Sequence, residues 1–158
     1  MNFADTNWLE ALYFDAQDGD QEIRCGVVER FMRKEGGQLR ISHLVYLEAR
    51  NVFSRNTGEV EPEEWRILVS DLNRLLHLDP MNWEFVRRDT FQLIAKYAPK
   101  MRVGTLDLAI LASLKLSGAT RLLSFDESLK AVAVAERLAV FPQLGDTGKR
   151  LLSVLKGG

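Results

Sequence analysis

The segment from Val103 to Leu129, VGTLDLAILASLKLSGATRLLSFDESL, constrains the fold more than any other part of the chain. It predicts a helix, a glycine stop, a short apolar strand and the start of a further helix. Thr105 is placed to cap the first helix, and Leu106, Ala109, Ile110, Ser113, Leu114 and Leu116 follow at helical spacing. Gly118 is the predicted stop, because glycine takes the left-handed exit conformation without a Cβ in the way. Arg121 to Ser124 then reads as a strand too short to be exposed on both faces, and Ser124 opens the next helix. Two acids punctuate the segment. Asp107 shares a helical face with Ile110 and Leu111, and Asp126 directly follows the apolar strand. Each has an ordinary explanation, since the helix macrodipole favours acids near helix N-termini.

The rest of the chain repeats this alternation. Asn2 to Asp5 reads as a buried strand with Phe3 and Asp5 on one side. Asn7 then caps a helix, with Glu10 three residues later as in a capping box. Gln21 to Lys34 is helical, with Ile23, Val27, Val28 and Phe31 facing inward, and Gly36-Gly37 breaks it. Leu39 to Ile41 is a second strand, followed by a helix capped by Ser42 and running to about Arg55. Its buried stripe is Leu44, Val45, Val52 and Phe53. Pro62 starts an amphipathic helix carrying Trp65, Leu68 and Leu72. A third strand is placed at Leu76 to Asp79, a helix at Trp83 to Ala98, a helix at Glu127 to Arg137 and a last strand at Ala139 to Phe141. The tail can form a final helix through Leu151, Leu152 and Leu155. Short apolar strands alternating with helices argue for an α/β sandwich built on a short parallel central sheet flanked by helices. No repeat or Pro/Gly/Ser linker divides the chain. One domain is expected over residues 1–158, with its core at about 2–142 and a tail at 143–158.

The 22 acids against 21 bases give a formal charge of -1. A nucleic-acid binder working by bulk charge is basic, so any such partner must be held by a local patch. The single cysteine, Cys25, excludes an internal disulfide framework and fits a reducing cytoplasm. The opening MNFADTNW has acids where a signal peptide needs bases, and no apolar run approaches roughly 18 residues. The expectation is a soluble, cytoplasmic protein without a membrane segment.

In a parallel sheet, functional residues gather where strands end at their C-terminal edge. Asp5 ends strand one, and Glu48 lies near the start of the helix after strand two. Asp107 begins the helix before strand four, and Asp126 ends strand four. Glu48 and Asp107 interrupt apolar stripes, and a carboxylate taken out of water is costly unless paired. No base stands three or four positions from either on its own helix. A shared cation answers the difficulty for all four acids together. Oxygen ligands without Cys or His call for a hard ion, Mg²⁺ or Mn²⁺.

The residues around these acids add to that reading. FADTNWLEAL, ISHLVYLEARN, TLDLAILASL and GATRLLSFDESL together resemble the PIN-domain family, and more closely its VapC-type toxin members. The resemblance runs from Phe3 to Phe141 and implies a PIN-like three-layer sandwich. It implies a metal-dependent endoribonuclease, with Asp5, Glu48, Asp107 and Asp126 as the catalytic and metal-site acids. Thr6 and Asn7 match the polar residues after the first acid, and Ser124 matches a small hydroxyl position before the last. Two departures stand out. Trp8 is bulkier than the small aliphatic residue usual after Asp-Thr-Asn, and Ile110 stands where many relatives carry a His. Neither removes a ligand. The implied reaction is hydrolysis of RNA phosphodiesters leaving a 3′-hydroxyl and a 5′-phosphate. The implied setting is the toxin of a type II toxin–antitoxin pair, a homodimer held inactive by a cognate antitoxin lying over the acids. The alternatives are a catalytically silent PIN-like RNA- or protein-binding module and a small α/β phosphohydrolase acting on a soluble ester.

For the RNA, Arg50 and Arg55 lie on the same helix as Glu48. Arg87 and Arg88 head a basic segment that continues through Lys96, Lys100 and Arg102. That segment serves equally well as a solvated helix face. His43 and His77 are too scattered for a zinc site. GDTGKR at Gly145 to Arg150 lacks the first glycine spacing of a phosphate loop and the hydroxyl residue after Lys149.

Overall fold

The structure is a computed structural model and describes residues 1–157. Its centre is a sheet of five three-residue strands, β1 (Asn2–Ala4), β2 (Leu39–Ile41), β3 (Leu76–Leu78), β4 (Arg121–Leu123) and β5 (Ala139–Phe141). All pairings are parallel and the order is β3-β2-β1-β4-β5. The chain therefore builds outward from β1 through β2 to β3, then crosses back to lay β4 on the other side of β1. The switch point of the sheet, where ligands of such folds bind, falls between β1 and β4. In register there, Phe3 faces Leu122 and Ala4 faces Leu123. All four side chains are fully buried, which is why these strands read as apolar runs and not as alternating ones.

Eight helices flank the sheet among the described residues: α1 (Thr6–Tyr13), α2 (Gly19–Glu35), α3 (His43–Thr57), α4 (Glu63–Ser70), α5 (Trp83–Tyr97), α6 (Thr105–Ser117), α7 (Glu127–Ala135) and α8 (Asp146–Lys156). Helix α6 is the interior one. It packs against α3, α5 and α7, and every residue from Leu108 to Leu114 is buried. The one-sided stripe expected for it does not apply, and Leu106 and Leu116 at its ends are exposed. Gly118 ends it with φ at 78°, as its sequence position required. Helix α2 departs from expectation at Ile23, which is exposed while Val28 and Phe31 carry the burial.

The GDTGKR stretch forms the start of α8, and Gly145 N–H donates to Glu127 Oε1 at 2.5 Å. The positive end of that helix is thus filled by the chain's own carboxylate, which Lys130 Nζ also holds at 2.7 Å. Among the described residues no helix is long and apolar enough to cross a membrane.

Candidate active site

Asp5 is the first residue past β1, and its N–H still bonds to Leu123 O at 3.0 Å, so the sheet delivers it to the switch point. Its Oδ1 accepts Thr6 N–H at 2.8 Å and caps α1. Capping thus belongs to Asp5 and not to Asn7, because the Asn7 side chain turns towards β4. Asn7 Oδ1 accepts Phe125 N–H at 3.0 Å, and Asn7 Nδ2 lies 3.4 Å from Ser124 Oγ. Ser124 is fully buried. Its hydroxyl donates to Asp5 Oδ2 at 2.8 Å while its Oγ accepts Asp126 N–H at 3.0 Å. Ser124 therefore ties the ends of β1 and β4 together and does not open α7. Asp126 caps that helix instead, accepting Leu129 N–H at 3.1 Å.

Asp107 enters from the first turn of α6. Gly104 is the capping residue there and makes no side-chain cap bond, so Thr105 does not have the role expected of it. Glu48 comes from the second turn of α3, half-buried beside the fully buried Val45 and Ala49. Four separate chain segments thus bring one carboxylate each to the C-terminal edge of the sheet.

These acids feel one another. Burial pushes the Asp5 carboxyl up from 3.8 to about 7; the Ser124 and Thr6 hydrogen bonds offset part of that rise, and the charges of Asp107 and Glu48 add to it. Asp107 is pushed up from 3.8 to about 6, first by burial and then by Asp126 and Glu48. The charges acting on Asp107 are all negative, and among the described residues none of the four acids takes part in an ion pair. Linked carboxylates without a base hold a proton near neutrality or share a cation. The donor set fits a hard divalent ion by charge and by atom type. Among the described residues no group of three or more His, Cys, Asp or Glu side chains stands ready to hold a metal ion directly. Mg²⁺ keeps several waters and takes one or two carboxylates directly, so the acids would meet such an ion partly through its water. Thr6, beside Asp5, is buried with its Oγ1 unpartnered, a polar atom that such a hydrated ion could satisfy.

Trp8 fills the space behind the site. Its indole stacks on Phe125 at 5.6 Å and meets Phe31 edge-on at 5.2 Å, so the bulky departure from the family pattern is core packing that supports the turn carrying Asp126. Ile110 is fully buried.

The basic candidates fare differently. Arg50 donates to Ser54 Oγ at 2.5 Å and to Val60 O, and lies over the Trp65 ring, so its guanidinium fastens α3 to the chain entering α4. Arg87 pairs with Glu84 at 2.8 Å and Arg88 with Asp89 at 3.1 Å, while Arg55 is exposed. Farther along, Lys96 is engaged by Glu136. The sequence reading missed Arg24 of α2, whose guanidinium lies 5.1 Å from the centre of the Phe125 ring, between Ser124 and Asp126 in the chain. No local signal marks it, because the contact joins α2 to the β4–α7 turn.

The profile of the PIN domain family matches residues 3–135. Among solved structures, VapC20 of Mycobacterium tuberculosis, described as a sarcin–ricin-loop-cleaving toxin, superposes with a TM-score of 0.64 at 15% identity, covering 83% of this chain and 94% of its own. FitAcB from Neisseria gonorrhoeae superposes with a TM-score of 0.56 at 14% identity, covering 89% of this chain and 96% of its own. At these identities the likeness is one of fold. Sequence comparison with curated proteins gives no match.

Proposed function

The chain belongs to the PIN-domain family, and from that premise we propose that it is a Mg²⁺- or Mn²⁺-dependent endoribonuclease, the toxin of a toxin–antitoxin pair. The observation that carries the proposal is that the charges of Asp107 and Glu48 act on Asp5 and those of Asp126 and Glu48 on Asp107, and that among the described residues none of the four acids takes part in an ion pair. One or two of these side chains would hold the ion directly and the others through its waters. A divalent cation bound there supplies charge stabilisation at the attacked phosphate and lowers the pKa of the attacking water. The chain's own residues do the positioning. Thr6 N–H and Ser124 Oγ fix the two oxygens of Asp5, and Ser124 and Leu129 N–H fix Asp126 relative to it. Asp107, only half-buried, can hold a proton near neutral pH at a carboxylate that faces the same site.

The proposed setting includes a homodimer and an antitoxin lying over the acids. Leu47, which precedes Glu48 on α3, is 68% exposed and offers apolar surface to a protein partner next to the site. Induced expression tests the reading. Growth arrest that is lost with Asp107→Asn supports the toxin. Arrest by both forms alike would point to binding without catalysis, and no arrest together with hydrolysis of a soluble phosphate ester would point to a small-molecule phosphohydrolase.

A further inference from the structure

A cavity of about 530 Å³ opens between α1, α2, the end of α3 and the start of α4; none of the four acids lines it, and Asn7 joins it to their site. That volume lies within the roughly 300–1,000 Å³ typical of pockets that take small organic groups. Asn7 lines it and also bonds to Ser124 and Phe125, so the cavity begins where the acid site ends. Tyr13 and Phe14 supply aromatic wall, Glu10 and Glu64 supply carboxylates, and Arg24 stands at the rim on Phe125. Glu10 spends one oxygen on Asn56 Nδ2 at 3.1 Å, and Glu64 Oε2 is buried without a partner. Arg24 is exposed and makes no ion pair among the described residues.

We infer that this cavity is a nucleobase subsite for the RNA strand next to the scissile bond, with Arg24 holding a backbone phosphate at its rim and Glu10 and Glu64 reading an amino group of the base. The inference rests on the ribonuclease reading and gives it a substrate preference. Charge sets the orientation. Glu10 and Glu64 are half-buried and repel a phosphate, Asp15 adds an exposed carboxylate to the lining, and Arg24, also exposed, is the one cation among the lining residues, so the backbone is held at Arg24 with the base turned inward. Aromatic side chains accept the face of any base. Carboxylates select among bases, because they accept from exocyclic amino groups, as acids do from cytosine N4. Uracil offers only an imide N–H between two carbonyl oxygens, which a carboxylate repels. Bases with an amino group are therefore preferred over uracil.

The test is binding of short fluorescein-labelled cytidine and uridine homopolymers to the full-length protein, with Ca²⁺ in place of Mg²⁺ to slow turnover. Wild type is expected to bind oligo-C roughly fivefold or more tightly than oligo-U. Arg24→Ala should weaken both equally and reduce the slope of log K against log salt by about 0.7, the value for one single-strand phosphate contact, and Arg24→Lys should restore the slope. Glu10→Gln with Glu64→Gln should erase the base preference and leave the slope unchanged. Glu10→Gln alone, which keeps an acceptor for Asn56, serves if the pair fails to fold. Unchanged affinity and slope in Arg24→Ala, or an undiminished preference in the glutamine variants, overturns the inference. It is also overturned if the glutamine pair weakens binding of a tetra-arginine peptide and leaves RNA binding untouched, since the cavity would then be a dock for a basic protein segment. Mn²⁺ binding, followed separately, keeps the two readings apart. Loss of both Mn²⁺ and RNA binding in wild type removes the ribonuclease reading itself. Intact metal and RNA binding with silent variants removes only the subsite.

Discussion

Asp5→Asn should stabilise the metal-free protein at about pH 8, although it changes a residue at the centre of the site. The folded-state carboxyl sits at about 7 against an ordinary 3.8, so folding is opposed by the charged form. Between those values the folded chain keeps a proton that the unfolded chain has lost. Stability from this group is therefore fully present below 3.8 and falls away as pH rises through about 7. The whole difference corresponds to about 4 kcal/mol, a ceiling for the relief that asparagine brings. Asparagine keeps an oxygen for Thr6 N–H but forces the Ser124 hydroxyl to accept from it, a rearrangement that costs about 1 kcal/mol. A net gain of up to about 3 kcal/mol raises Tm by up to roughly 6–12 °C for a chain of this size. Thermal unfolding in EDTA, followed by circular dichroism, gives the comparison. The gain should vanish at about pH 4, where wild-type Asp5 carries its proton. A variant less stable than wild type by the same amount at both pH values would refute the reasoning, because the charge would then be compensated within the fold.

Three further perturbations follow the same electrostatics. Mn²⁺ should raise the Tm of wild type at about pH 8, with the gain shrinking as pH falls through about 7 and about 6, where Asp5 and Asp107 take up protons; the same titration of Asp107→Asn should show little gain. Ser124→Ala strips the donor from Asp5 and the acceptor from Asp126 N–H. It should cost about 1–3 kcal/mol in denaturant unfolding, and the midpoint of the activity–pH profile should move to higher pH, since the lost bond favours the Asp5 carboxylate. Glu136→Gln removes the charge facing Lys96 at 2.8 Å and Lys115 at 2.5 Å and one of the two oxygens that accept from them and from the Tyr97 hydroxyl, and should cost about 2 kcal/mol at neutral pH. Those contacts hold the Glu136 carboxyl down at about 2 despite its burial. The deficit should therefore shrink as pH falls from 4.5 towards about 2, which acid unfolding of the pair would show.

What the sequence disclosed was what local chemistry decides. The β2 and β5 strands fall where apolar triplets between turn residues put them, and α6 stops at the glycine that permits a positive φ. Of the four acids, Asp5 and Asp126 stand where a strand hands over to a helix, while Glu48 lies in the second turn of α3 and Asp107 in the first turn of α6, which follows a helix. What the sequence concealed depends on contacts between distant segments. The Asn7–Glu10 spacing looked like a capping box, yet Asp5 caps α1 because Asn7 is drawn away to Phe125 and Ser124 in the turn after β4. Helix α6 is wet on no face between Leu108 and Leu114, since neighbours close around it, and periodicity cannot announce that. Arg50, an RNA candidate by its place on the Glu48 helix, is held by Ser54, Val60 and Trp65, while Arg24, which no sequence pattern marks, lies over Phe125 between Ser124 and Asp126 in the chain.

The central claim is tested most directly by incubating purified protein with mixed cellular RNA in Mg²⁺ or Mn²⁺, in EDTA, and beside Asp107→Asn, then mapping the product ends. The account predicts discrete products with 5′-phosphate ends that require the metal and disappear in the variant. Cleavage that persists in EDTA or in Asp107→Asn, or a folded protein that neither binds Mn²⁺ nor cuts any RNA, would contradict it.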